Sequence, residues 1–531
     1  MNRAASTAAP TAASTRYASR GMVASVDHLA TAAGVDVLAH GGNAVDAALA
    51  THAVLAVTAP HLCGLGGDLF ALVHDGSAAP AALDASGRAG SGADPDRLRA
   101  EGATRMPFQG DVRSVPVPGC VDGLVALHER YGTRPLADLF ARAVQLADDG
   151  FPASPLLVRP AARLVGTVGA TDLLAATHAG ARVRRPGVAR TLRGIAARGR
   201  DAFYGGELGE GLLALGAVDR DVPEFVAGDL ERLLADWVAP VSAPAWGHVV
   251  WSTPPASSGY LVTLGAAIAD GLDLPDDPAD PLWAHLLVEA ARAAGHDRPD
   301  VLAEGAAPPD DAAARRAGIA PDVRAPRPEP VQRDGDTTYL CAADGGGLAV
   351  SLIQSNAAGF GSGLFEPRTG INLQNRGYGF SLVPGHRAEY GPGRRPPHTL
   401  APVVVTRPDG ALRAVLGTMG GDAQPQVLLQ LLARMLRGGE DAGAAVDGPR
   451  WRLGSGATGF DTWTADVAAA PTVEVEHGAR WSDGLRARGH VVVDEPAGVG
   501  FGHAHAIEVT ADGTFAGAAD PRARVGAASG V

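Results

Sequence analysis

No lysine occurs anywhere in the 531 residues, and all 45 basic side chains are arginine. That absence removes several chemistries at once. A Schiff-base lysine, a Walker A lysine, a kinase strand lysine and the lysine of an S-x-x-K amidase are all impossible here. Arginine does not replace them, because its guanidinium stays protonated and is a poor nucleophile. Cysteine is scarce as well. Cys63, Cys120 and Cys341 are odd in number and widely spaced, which excludes a disulfide scaffold and any C-x-x-C zinc or redox motif. No apolar run approaches the ~18 residues that span a bilayer, and the first twenty residues lack the apolar core of a secretory signal. The expectation is a disordered start over residues 1–20 and a soluble, cytoplasmic protein without a membrane partner. A formal net charge of −13 also disfavours nucleic acid as a partner.

What is present is an ordinary globular balance, 46% apolar and 19% charged, with no internal repeat. Strands are expected at Met22–Val26, Leu69–His74, His248–Ser252, Ala401–Thr406 and Ala414–Gly417. Helical spacing marks Leu29–Ala39, Ala44–Val57 with Asn43 as its cap, Val121–Tyr131, Pro135–Asp149, Tyr260–Asp270, Leu282–Ala294 and Val427–Arg437. Closing strands are expected at His490–Asp494, Ala506–Val509 and Phe515–Ala518. The run Gly64-Leu65-Gly66-Gly67 leads into a strand rather than a helix, so it is no dinucleotide loop. From Glu304 to Asp336 prolines recur at 308, 309, 321, 326, 328 and 330 without any apolar period, which reads as an exposed, flexible linker. Order then resumes. Thr337–Ala343 and Leu348–Ser355 flank Asp344-Gly345-Gly346-Gly347 as a hairpin whose nearly continuous apolar strands should be covered on both faces.

The usual nucleophile settings are missing: there is no Gly-x-Ser-x-Gly elbow and no HExxH. His503-Ala504-His505 places two imidazoles along one strand but lacks an evident third ligand, so neither a metal nor a cofactor is expected. The cysteines have no evident histidine partner. Thr337 is left. A threonine hydroxyl reacts when a base takes its proton, and a threonine at the start of a chain carries that base in its own α-amine, with a pKa near ~7.7–8. Such a start requires a cut between Asp336 and Thr337, where the proline-rich run meets the strand. By itself, Thr-Thr entering a strand needs no explanation beyond β-propensity.

The wider pattern carries more. GMVAS at 21–25, GGNAVDAALA at 41–50, GLGGD at 64–68, TPPASSG at 253–259, DTTYLCAADGGGLAVSLIQSN at 336–356, TGINLQNRGYGFS at 369–381 and TMGGDAQPQ at 418–426 occur in an order that resembles the γ-glutamyltransferase family of N-terminal nucleophile hydrolases. The resemblance covers nearly the whole chain. It implies an αββα four-layer sandwich and self-cleavage into a large subunit, 21–336, and a small subunit, 337–531, that stay associated, with a homo-oligomer left open. It also implies an acyl-enzyme on Thr337, formed from a small-molecule amide such as glutathione and released to water or an amine acceptor. Gly420 and Gly421 match the family's oxyanion glycines, and Ser355 matches a threonine that hydrogen-bonds the nucleophile.

Several positions depart from the family pattern. Where the family grips an α-amino group with Gln and Asp, this chain has Arg376 and Gly379. Its paired serines match His398 and Thr399. Its carboxylate-binding arginine falls on Ser86, with Arg88 two residues on. A substrate-binding asparagine falls on Ala357, beside Asn356. Asn375 lies next to Arg376, and Asp422 is a candidate compensating carboxylate. The expected substrate-binding set is therefore Arg88, Asn356, Asn375, Arg376, His398, Thr399 and Asp422. A cation where an acid is usual points to the alternative of a small carboxylate-bearing amide, of oxamate or glutaryl type. An unprocessed, inactive homologue is the third reading.

Overall fold

The computed structural model describes residues 14–218, 221–326, 336–454 and 472–531. Two seven-stranded sheets form its centre. The first runs, in spatial order, Ala527–Gly530, Gly21–Ser25, Asp336–Asp344, Ala349–Ala357, Asp68–His74, Ala81–Ala85 and Asp236–Val238. The second runs Arg16–Ala18, Phe515–Ala519, Ala504–Val509, Leu412–Thr418, Val403–Thr406, His248–Ser252 and Val241–Ala245. Neighbouring strands are antiparallel throughout both sheets.

Strand alternation sorts the hairpin residues between two layers. Tyr339 and Cys341 point into a core shared with Val404, Val415 and Ile507 of the second sheet. Leu340 and Ala342 point the other way, into a core with Leu49 and Val54. Those two belong to Ala44–Thr58, a helix buried along its whole length and closed by a reciprocal Asn43/Asp46 capping box. The second sheet is covered on its outer face by Gly259–Asp270, Pro281–Gly295 and Gln424–Leu432, which contribute Val262, Leu287 and Leu428 to a core with Val403 and Leu416. The architecture is therefore the expected αββα sandwich.

Four local expectations are corrected. Disorder does not extend to residue 20, because Arg16–Ala18 pairs with Phe515–Gly517 as an edge strand; residues 1–13 lie outside the described residues. The helix expected from Val427 starts at Gln424, with Pro425 in its first turn, where a missing N–H costs nothing. The strand expected from Ala401 starts at Val403, since Ala401 N–H donates to Gln424 Oε1 at 3.2 Å and Pro402 has no N–H to give. Residues 488–490 turn back onto the helix Ser482–Ala487, so the late strand is Val492–Glu495, and it joins a separate three-stranded sheet.

The presumed linker is a larger correction. Residues 304–326 are docked. Arg315 is buried and donates to Ala293 O at 2.8 Å, and Ala325 N–H donates to Glu289 Oε2 at 3.1 Å. Arginine and backbone do much of the holding, and Ala312 and Ile319 pack on the core without an apolar period to mark the segment. The rest of that segment, 327–335, lies outside the described residues.

Candidate active site

Thr337 sits at a β-bulge. Asp336 stands opposite Ala357 and Thr338 opposite Gln354, with the register slipping between them. A bulge re-aims the side chain it carries. Thr337 is fully buried, and its Oγ1 donates to Ser355 Oγ at 3.0 Å. Ser355 Oγ also accepts from Ala357 N–H at 2.8 Å and from Arg376 Nη2 at 3.4 Å. Ala357 has φ +77°, a left-handed conformation uncommon for a residue with a Cβ.

The glycines of GLGGD allow a close approach. A Cβ on Gly67 would lie 2.3 Å from Ser355 O, and one on Gly66 would lie 2.2 Å from Asn372 O. The loop thus presses against the strand that holds Ser355, and Asp68 follows directly. Its carboxylate accepts from His398 Nε2 at 2.8 Å, Gln374 Nε2 at 2.6 Å and Gly87 N–H at 2.7 Å. Burial, aided by the Arg376 charge, lowers the His398 pKa to about 4, against the pull of Asp68. At neutral pH His398 is therefore an uncharged donor to Asp68. Arg376 is buried and donates to Thr399 Oγ1 at 3.3 Å. Burial lowers its pKa, opposed by Tyr378, Asp68 and Asp422.

The second sheet brings the glycine turn. Tyr339, two residues after Thr337, lies over Gly417, where a Cβ would meet its ring at 2.2 Å. The chain then runs through Thr418 and Met419 into Gly420 and Gly421, with φ +137° and +55°. Both glycines are buried, and among the described residues neither amide N–H donates a hydrogen bond. Two open donors in a dry turn are what a developing oxyanion requires.

The remaining candidates divide. Thr399 and His398 stand with Arg376. Asn356 donates to Pro60 O at 3.1 Å, and its Oδ1 has no partner among the described residues. Asn375 is a loop brace, accepting from Ala358 N–H at 3.0 Å and donating to Phe108 O at 2.7 Å. Arg88 is engaged elsewhere, with Glu304 at 2.8 Å and Gly393 O at 3.0 Å. The guanidinium that meets Ser86 is that of Arg395, at 2.9 Å. Asp422 pairs with buried Arg298 instead of standing free for a substrate.

Cys120 does have a histidine neighbour, His52 Nε2 at 3.2 Å, contrary to expectation. Burial raises the thiol and lowers the His52 pKa to about 3, so the pair is neutral and no thiolate forms. His503 and His505 are buried, and burial lowers their pKa values to about 4 and about 3. Among the described residues, the three donors close enough for one ion are instead His285, Glu289 and His490. There His285 Nδ1 already meets His490 Nε2 at 2.8 Å, and Glu289 is bonded by Arg292.

Sequence reasoning gave no role to Asp68, Gln374 or Arg298. The first two stand inside quoted motifs, at the end of GLGGD and beside Asn375. Nothing around Arg298 marked it.

A model of the gamma-glutamyltranspeptidase family matches residues 30–530. A glutathione hydrolase-like YwrD proenzyme of Bacillus subtilis is 33% identical over 528 residues, spanning 96% of this chain and 98% of its own. An oxamate amidohydrolase proenzyme of Klebsiella pneumoniae is 34% identical over 550 residues, spanning 97% and 99%. The crystal structure of a cephalosporin acylase from Bacillus halodurans superimposes with a TM-score of 0.87 at 31% identity, covering 100% of this chain and 99% of that one.

Proposed function

Because the chain belongs to the gamma-glutamyltranspeptidase family, we propose that it is a self-processing amide hydrolase working through a threonine acyl-enzyme. In maturation, Thr337 Oγ attacks the Asp336 carbonyl carbon, the C–N bond breaks, and the amine of Thr337 is released as the ester forms. Water hydrolyses that ester to leave the Asp336 carboxylate and a free Thr337 terminus. In turnover, Oγ attacks a substrate amide while the new α-amine takes its proton and passes it to the leaving amine. Water or an amine acceptor then releases the acyl group. The observation that carries this reading is the Thr337–Ser355 hydrogen bond at the bulge.

For the acyl group, glutathione or another γ-glutamyl amide is the first reading. The second, a small carboxylate-bearing amide such as oxamate or a glutaryl amide, is favoured by Arg376 beside Ser355. A guanidinium there repels a substrate ammonium and binds a carboxylate.

The test is intact mass with N-terminal sequencing, followed by turnover. The shorter piece is expected to begin Thr-Thr-Tyr-Leu. Release of p-nitroaniline from its γ-glutamyl amide, set against ammonia from oxamate, separates the two substrates. Thr337→Ala is expected to leave one uncut species near 53.8 kDa with no amide turnover, and a variant that still splits and turns over would refute the assignment.

A further inference from the structure

The turn that carries Gly420 and Gly421 also contains Asp422, and Asp422 is not a lone charge. Its carboxylate is paired with the guanidinium of Arg298, and both side chains are almost completely removed from water. Asp422 lies in the short 3₁₀ turn Gly421–Ala423, which Gln424–Leu432 continues as a helix. Arg298 lies just beyond the helix Pro281–Gly295, on the other side of the Asp336–Thr337 bond in sequence. Resting on the reading just given, we infer that the Arg298–Asp422 pair is a positioning device for the oxyanion turn. It spans the two subunits and sets the direction of the Gly420 and Gly421 amides.

Three observations converge. Both glycines have positive φ, so their own backbone preferences do not hold this geometry, and glycine is the residue least able to hold one. The fixed point nearest to them in the chain is Asp422. It is anchored through its side chain to Arg298 and through its carbonyl, which accepts from Gln426 Nε2 at 3.3 Å. A second anchor lies before the turn, where Met419 N–H donates to His503 O at 3.2 Å. The turn is thus held from both ends while its two amides stay open. A buried ion pair is a poor source of net stability but a directional one, since separating it leaves an uncompensated buried charge. Catalysis tolerates little displacement here: an error of about 1 Å in a reacting geometry costs on the order of 10²-fold in rate.

The pair is therefore expected to act on kcat and not on substrate affinity. In Asp422→Asn, which keeps the shape and removes the charge, kcat per cleaved molecule is expected to fall tenfold to a hundredfold. KM should stay within about twofold, because the hole is used in the transition state. The pH–rate profile should keep its inflection, since the nucleophile's own amine is untouched. In the double variant with Arg298→Gln, the second change should add little to the first, because the two residues act as one unit. The cleaved fraction is read by intact mass, and Asp422→Glu, which keeps the charge, should recover most of the lost rate.

An Asp422→Asn protein with wild-type kcat overturns the inference. So does a raised KM at unchanged kcat, which would make Asp422 a substrate-binding residue, and so do independent, additive defects in the double variant. If the unaltered protein hydrolyses no amide, the proposed function fails instead, and the two failures are told apart in the same assay.

Discussion

Two clusters of buried charge stand on either side of the 501–503 loop, and they are built differently. In one, Glu476 accepts three hydrogen bonds, from Arg522 Nε, Arg522 Nη2 and Arg450 N–H. Asp520 is likewise saturated, by Arg450 at 2.7 Å, Ala504 N–H at 2.8 Å and Arg522 N–H at 2.9 Å. Burial alone would raise the Asp520 carboxyl, yet Arg450 and Arg522 hold it well below the usual carboxylate range. In the other cluster, around Thr337, Asp422 Oδ2, His398 Nδ1 and Asn356 Oδ1 have no partner among the described residues. The two are mechanically linked: Arg450 Nη1 donates to Phe501 O at 2.8 Å, and the same loop gives His503 O to Met419. The difference lies in how fully the acceptors are bonded. The carboxylates of the first cluster are saturated, although Arg450 Nε has no partner among the described residues; an unsatisfied buried polar group costs about 1–3 kcal/mol. The groups of the second cluster keep bonding capacity open, and the first cluster holds the loop that meets Met419.

Acid tests both clusters and carries the largest expected effect. His398 and His503 have pKa values lowered to about 4, and His52, His61 and His505 to about 3, in each case chiefly by burial. The unfolded imidazole binds a proton near the ordinary value of 6.5 while the folded one does not. The stability these groups contribute is thus complete above pH 6.5 and is lost as pH falls toward 4. At pH 5 each has lost about 2 kcal/mol, so a few of them consume most of a typical ~5–15 kcal/mol. Thermal melts should show a steep fall in Tm between pH 6.5 and 5, and a Tm unchanged over that window would mean these imidazoles are not held neutral.

Asp520→Asn comes next. Removing one partner from a saturated buried cluster leaves Arg450 and Arg522 short of their counter-charge, a loss of about 3–5 kcal/mol. Denaturant titration measures it directly. A loss under about 1 kcal/mol would show that this cluster is no more structural than the one around Thr337.

Much of this was legible in the sequence. The hairpin from Thr337, the capped helix after Asn43 and the two-sided burial of the central strands follow from apolar period and turn residues, which report local burial. The pairing of Ser355 with Thr337 and the open amides of Gly420 and Gly421 followed from motif order. What stayed hidden depends on contacts between distant segments. Arg88 lies two residues beyond the position matching the family's arginine yet is drawn to Glu304, and Arg395 reaches Ser86 across more than 300 positions. The docking of residues 304–326 rests largely on bonds to carbonyls and carboxylates, and Ala312 and Ile319 pack on the core without forming an apolar period. The bulge at Thr337 is a property of strand pairing, and no residue type in Thr337-Thr338 announces it.

The smallest effect expected is the most informative about substrate. A γ-glutamyl and a glutaryl amide have the same chain length and the same distal carboxylate, and differ by one ammonium. Their ratio of kcat/KM therefore isolates what the pocket does with a positive charge. Arg376 is buried, within 3.4 Å of Ser355 Oγ, and the position of the family's ammonium-binding acid is Gly379, which has no carboxylate. On the second reading, in which Arg376 receives the distal carboxylate, the glutaryl amide should be favoured by roughly tenfold to a hundredfold, which corresponds to about 1.4–2.8 kcal/mol. In Arg376→Gln the repulsion of the ammonium and the attraction of the carboxylate disappear together, so the ratio should collapse toward unity while the glutaryl amide loses absolute rate. A ratio already favouring the γ-glutamyl amide in the unaltered protein, and left unmoved by Arg376→Gln, would mean that the ammonium is received away from Arg376.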